Sequence, residues 1–110
     1  MNRQLEYVDG NGRNLFAEWQ SSLDEKARTK VSIALFRLRD GDISHVKSVG
    51  VGAGVSELKI DFDPGYRVYF GRDGAAIVIL LAGGTKKSQP ADIERAHLRW
   101  ADYKLRKPGE

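Results

Sequence analysis

VSELKIDFDPGYRVYFGRDGAAIVILLA, residues 55–82, reads as three consecutive β-strands. Apolar side chains recur with a period of two over 55–62 and 66–71, 75–82 is a strand-length apolar run, and turn residues separate the three. Asp63-Pro64-Gly65 turns the first pair: proline presets φ and glycine takes the left-handed position. Asp73-Gly74 turns the second pair as a two-residue hairpin, which needs positive φ at both central residues. A three-residue first loop sets Phe62 opposite Tyr66, Asp61 opposite Arg67 and Lys59 opposite Tyr69. The Asp-Gly hairpin then sets Arg72 opposite Ala75, Tyr69 opposite Val78 and Arg67 opposite Leu80. Leu58, Ile60, Phe62, Tyr66, Val68 and Phe70 share one face, the core face. Glu57, Lys59, Asp61, Arg67 and Tyr69 share the other. A slip of one residue would bury the charges, so the hydrophobic pattern selects this alternation.

Upstream, residues 45–49 form a short strand, and GVGAG at 50–54 joins it to the meander. That glycine run is an inter-strand connection: no GxxxxGK[ST] follows and no helix begins there. Residues 23–40 form a helix with Ala27, Val31, Ala34, Leu35 and Leu38 as its apolar stripe. Ser22 and Glu25 make a capping box at its start, and Gly41 ends it. A preceding helix over 13–21 carries Leu15, Phe16 and Trp19 at helical spacing, so the two helices form an antiparallel hairpin. Residues 2–8 form a first strand. Downstream, Ser88-Gln89-Pro90 opens a last helix with proline in its first turn, with Ile93, Ala96, Leu98, Trp100 and Ala101 as apolar positions. Pro108-Gly109 ends order. The order predicts an α+β single domain spanning 1–110.

The length of 110 residues suits one modest core, and 41% apolar with 30% charged residues is a globular composition. There is no cysteine, which excludes a disulfide framework and thiolate metal or redox chemistry and points to a cytoplasmic context. The longest apolar run, AAIVILLA at 75–82, is strand length, so no membrane partner is expected. The first ten residues lack an apolar signal region, and nothing points to export. His45 and His97 have no metal-ligand spacing and read as surface residues, and no cofactor or metal is implied. Trp19 and Trp100 read as packing residues. The net charge of +3 permits an anionic partner.

The polar sheet face carries the chemistry. Arg67 and Tyr69 lie about 7 Å apart along one strand face, a phosphodiester-sized span. The chain leaves the third strand near Arg67 and delivers Lys86, so Lys59, Arg67, Tyr69 and Lys86 converge. Arginine offers phosphate a planar fork of donors, lysine a point charge and a proton, and tyrosine a stacking face or a proton. RNA cleavage through its own 2′-hydroxyl needs only that hydroxyl deprotonated, the phosphorane charge stabilised and the leaving oxygen protonated. On the residues alone a second reading stands equally: Asp61–Arg67 as a surface ion pair, worth under about 1 kcal/mol, with Tyr69 half-exposed.

Glu57-Leu58-Lys59-Ile60, Pro64-Gly65-Tyr66-Arg67-Val68-Tyr69-Phe70 and Gly83-Gly84-Thr85-Lys86-Lys87-Ser88-Gln89 resemble the RelE/ParE toxin superfamily. They are most similar to its HigB-like branch of addiction-module killer proteins, and the resemblance runs over about 19–100. It implies a RelE-like fold, with a small antiparallel sheet, an N-terminal helical hairpin and a C-terminal helix. It implies ribosome-dependent mRNA cleavage, a cognate helix-turn-helix antitoxin, and operator DNA bound only through the antitoxin complex. By motif position Arg67, Lys86 and Lys59 carry over as catalytic residues, and geometry adds Tyr69. Lys87, Arg95 and Arg99 extend the positive charge for RNA. Two other readings remain open. One is a ParE-like gyrase inhibitor without a nuclease site, and the other a degenerate module that only binds its antitoxin and represses its own operon.

Overall fold

The computed structural model describes residues 3–50 and 54–107, so residues 51–53 of the GVGAG connection and the Pro108-Gly109 stop lie outside the described residues. In chain order the elements are β1 (Arg3–Glu6), α1 (Leu15–Ser22), α2 (Glu25–Arg39), β2 (Val46–Ser48), β3 (Val55–Ile60), β4 (Tyr66–Arg72) and β5 (Ile77–Thr85). A 3-10 turn (Lys86–Ser88) then leads into α3 (Gln89–Arg106). The five strands form one sheet in the order β1-β5-β4-β3-β2. β2 to β5 pair antiparallel, whereas β1 runs parallel to β5 with Leu5 opposite Ile79. The sheet is therefore mixed, not antiparallel throughout. Parallel neighbours need a long crossover, which the chain between β1 and β5 supplies.

Side-chain caps explain where the helices start. The Asn14 side chain accepts from the Ala17 N–H at 2.9 Å and opens α1. Asp24 does the same for α2, accepting from Ala27 N–H at 2.9 Å. Ser22 is not the α2 cap: its hydroxyl donates back to the Trp19 carbonyl at 2.6 Å and belongs to the end of α1. A carboxylate two residues on caps as well as a hydroxyl, and Leu23 breaks the helix between them. Gly41, at φ +99°, ends α2 as expected.

The sheet is the middle of three layers. On one side α1 and α2 cover a core of Phe16, Val31, Leu38, Leu58, Val68 and Phe70, with Ala27, Leu35, Ile60, Tyr66, Val78 and Leu80. On the other, α3 covers Tyr7, Val49, Val55, Tyr69, Ile79 and Leu81, with Ala82, Ala96 and Trp100. Trp19 and Trp100 lie against Gly83 and Gly71, where an added Cβ would meet the indoles at 2.2 and 2.4 Å. Leu98 is 66% exposed and Ala101 is exposed, so neither belongs to the α3 core stripe; Tyr103 takes that place, stacked 5.5 Å from Trp100.

Both hairpin registers differ from the expected ones. β3 and β4 pair Ile60 with Tyr66, Lys59 with Arg67 and Glu57 with Tyr69, so the loop spans 61–65. The shift is two residues, which keeps the paired side chains of β3 and β4 on their predicted faces and changes only their partners, while Asp61 falls in the loop and lines the α2 side of the sheet rather than the face of Arg67. β4 and β5 pair Arg72 with Val78, Tyr69 with Ala82 and Arg67 with Gly84, closing a loop over 73–77. Asp73 does not stay in a two-residue turn because α3 holds it. Its carboxylate accepts from the Tyr103 hydroxyl at 2.7 Å and from Lys107 Nζ at 2.8 Å. A bulge between Tyr69 and Phe70 leaves Leu81 without a partner across β4, and Leu81 and Ala82 both enter the α3-side core.

Candidate functional site

The two-residue register shift decides the surroundings of Arg67. Its partner is Glu57, not Asp61: Arg67 Nε lies 3.4 Å from Glu57 Oε1, with both residues buried, at 7% and 1% exposure. Gln89, at the start of α3, donates from Nε2 to Glu57 Oε2 at 2.5 Å. Lys47 Nζ approaches Glu57 Oε1 at 3.9 Å from β2. The N-terminal end of α3 therefore roofs the face predicted to be open. Asp92 is buried there too, accepting from Ser88 Oγ at 2.5 Å and pairing with Arg95 Nη1 at 3.0 Å.

Tyr69 is fully buried, and its hydroxyl faces the Glu57 carboxylate without closing a well-formed hydrogen bond. Burial, then the charges of Glu57 and Asp92, push this phenol well above the usual tyrosine range, with Arg67 opposing. The phenol stays protonated in the folded chain, while the unfolded chain releases that proton near pH 10. Above that pH the native state binds more protons than the unfolded one, so stability is present below about pH 10 and falls as pH rises. Tyr69→Phe removes this dependence and a poorly satisfied buried hydroxyl together. The variant is expected to gain about 1 kcal/mol at neutral pH and to lose less stability between about pH 9 and pH 11. Urea midpoints at both pH values test it. A residual alkaline loss remains from Tyr103, which burial and its bond to Asp73 push up to about 12.

Where β2 begins, the covered face opens into a shallow groove of about 300 Å³. His45, Lys47 and Lys59 line it and are exposed, and Arg67 and Glu57 form its buried floor. Lys59 sits directly across the strand pair from Arg67, and the Lys59 N–H donates to the His45 carbonyl at 3.0 Å. Lys86 is exposed, and its backbone N–H donates to the Gly65 carbonyl at 2.9 Å. A Cβ added at Gly65 would lie 3.5 Å from Arg67 Nη1 and 3.7 Å from Lys86 Cβ, so both residues border the β3–β4 loop.

The predicted set thus divides. Lys59 and Arg67 meet in the groove, Lys86 borders the same loop as Arg67, and Tyr69 is sealed beneath α3. Lys87 is exposed on the 3-10 turn. Arg95 is engaged by Asp92, and Arg99 donates from Nη1 to the Leu81 carbonyl at 2.9 Å. His45 and Lys47 join the groove unannounced, because neither lies in the motif around Arg67. His97 is half-buried, with Nε2 3.1 Å from the Val49 carbonyl, and not the surface residue expected. Among the described residues no His, Cys, Asp or Glu cluster could hold a metal ion, and no helix is long and apolar enough to cross a membrane.

The groove brings together imidazole, two ammonium groups and a guanidinium beside one fixed carboxylate. Such a set suits a phosphodiester anion with a proton to move. Residues 18–106 match the family model described as phage derived protein Gp49-like. The chain is also similar to an uncharacterized protein of Haemophilus influenzae, 40% identical over 84 residues, which span 76% of this chain and 83% of that one. The match covers α2, the whole of β2 to β5 and α3, every element that builds the groove, and the chain belongs to the Gp49-like family of phage-derived proteins.

Proposed function

We propose that the chain is the toxin of a type II toxin–antitoxin system: an mRNA endoribonuclease that acts on the ribosome and is neutralised by a cognate helix-turn-helix antitoxin. The Gp49-like family is associated with toxin–antitoxin systems, which supports the first part. The resemblance to the RelE/ParE superfamily agrees with it. The observation that carries the nuclease reading is the groove, which sets exposed Lys47, Lys59 and His45 over the buried Arg67 guanidinium.

In this reading the strand lies along the groove with a phosphate against Lys59 and Lys47. The 2′-oxygen attacks phosphorus, its proton passes to a groove base, and the P–O5′ bond breaks. The products are a 2′,3′-cyclic phosphate and a 5′-hydroxyl, which takes a proton from a groove acid. An imidazole can both accept and donate a proton, so His45, exposed at the groove, suits one of these transfers. Lys59 suits the other or neutralises the phosphorane. Glu57, itself held by the Gln89 amide, holds Arg67 in place.

Lys59→Ala changes an exposed side chain, so the fold is expected to survive it. Induced without a partner, the wild-type chain is expected to arrest growth and cleave translated mRNA. Lys59→Ala at equal soluble level is expected to cleave about a hundredfold more slowly. The burial of Arg67 and Tyr69 favours a second reading, in which the chain binds its target without cleaving RNA. Arrest with intact mRNA and a DNA-damage response would select a gyrase-directed binder. No arrest would select an antitoxin-binding, autoregulatory module.

A further inference from the structure

A second cavity, of about 260 Å³, opens on the opposite face of β3, between that strand and α2. It is near the small end of ligand pockets, at about 300 Å³, and takes one ring-sized group rather than a stretch of chain. Its floor is apolar, formed by Leu58, Ile60 and Phe62. Lys30 and Arg37, both exposed on α2, stand at its rim, and Asp42 and Asp61 also line it. The Phe62 ring stacks at 20° against Tyr66, 6.5 Å away. Lys30 Nζ lies 5.5 Å from the Phe62 ring centroid, so an exposed cation covers a ring face. This cavity and the basic groove share His45 and Lys59. The two openings therefore meet at the sheet edge where β2 begins.

An apolar, aromatic floor with a cationic rim, continuous with a phosphate-sized basic groove, is the arrangement that single-stranded nucleic acid requires. We propose that the cavity between α2 and β3 holds one unpaired nucleobase of the RNA strand whose phosphates occupy the groove. The strand crosses the sheet edge at His45 and Lys59, and the base displaces Lys30 from Phe62, freeing its ammonium for phosphate. The inference rests on the RNA reading of the groove and adds a base subsite to it. Asp42 and Asp61 supply acceptors for exocyclic amino groups, which favours adenine, guanine or cytosine over uracil.

Fluorescence anisotropy with two oligonucleotides tests it: a single-stranded RNA of about six nucleotides and an abasic ribose-phosphate strand of the same length. Wild type is expected to bind the base-bearing strand about tenfold more tightly than the abasic one. Phe62→Leu keeps an apolar floor but removes the ring, and is expected to erase most of that preference while leaving abasic binding unchanged. Arg37→Ala, at an exposed position, reduces the preference without touching the core. Lys47→Ala weakens both strands equally, because it changes only the groove. Equal wild-type affinity for the two strands overturns the base subsite and leaves the groove reading standing. So does a preference that survives both Phe62→Leu and Arg37→Ala. No binding of either strand overturns the groove and the subsite together.

Discussion

Gly84→Ala is expected to lower the stability of the fold by about 4 kcal/mol. An alanine Cβ at this position would lie 1.8 Å from Asp92 Oδ2, 2.7 Å from its Cγ and 2.8 Å from Ser88 Oγ. Moving the carboxylate aside breaks its contacts, since Asp92 is buried and held by both Ser88 and Arg95. The start of α3 would have to lift from β5. That lift uncovers Gln89 and Glu57 and, opposite Gly84 on β4, Arg67. Overpacking plus a broken buried polar network costs about 4 kcal/mol, a large share of the roughly 5–15 kcal/mol that holds a domain of this size. Gly10→Ala is the control: nothing lies within 4 Å of its Cβ, and the expected change is under about 0.5 kcal/mol. Denaturant midpoints for the two variants decide the matter. A wild-type midpoint for Gly84→Ala would mean that α3 is not seated on β5 as described.

What was legible in the sequence follows from what a period of two encodes. Leu58, Ile60, Tyr66, Val68 and Phe70 share a core face as their alternation requires, and Glu57, Lys59, Arg67 and Tyr69 share the opposite one. Alternation cannot tell a register from the one two residues away, because both give the same faces. The expected Asp61–Arg67 pair was therefore indistinguishable from Lys59–Arg67 until loop length was known. The α2 stripe was legible for the same reason: Ala27, Val31, Leu35 and Leu38 are all buried. The covering of the second sheet face had a signal of its own. Ile77-Val78-Ile79-Leu80-Leu81-Ala82 does not alternate at all, the pattern of a strand buried on both sides. Taken at its word, that run places α3 over Tyr69 and Arg67 and removes the open polar face. His45 and Lys47 had no local signal. They reach the groove only because β2 pairs at the sheet edge with Lys47 opposite Glu57.

Arg67→Met is expected to cost about 3–5 kcal/mol, because it leaves the Glu57 carboxylate buried on β3 without its strongest counter-charge. Loss of toxicity in that variant alone would say nothing about phosphate. The informative protein is the double variant Glu57→Leu/Arg67→Met. Removing both charges at once leaves no unpaired buried ion, and apolar replacement of a buried pair is often close to neutral. The second change is therefore expected to recover most of the loss, apart from about 1–2 kcal/mol for the Gln89 amide deprived of its acceptor. Urea midpoints of the wild type, the two single variants and the double variant give the coupling between Glu57 and Arg67 directly. With the fold restored, growth and mRNA integrity become readable. A folded double variant that neither arrests growth nor cleaves mRNA assigns the Arg67 guanidinium to the phosphate, reached through the floor of the groove. One that still arrests growth with cleaved mRNA assigns Arg67 to the fold and leaves catalysis to the exposed His45, Lys47 and Lys59 above it. Additive single costs, with no recovery in the double variant, would break the argument at its first step, since the two residues would not then be acting as a pair.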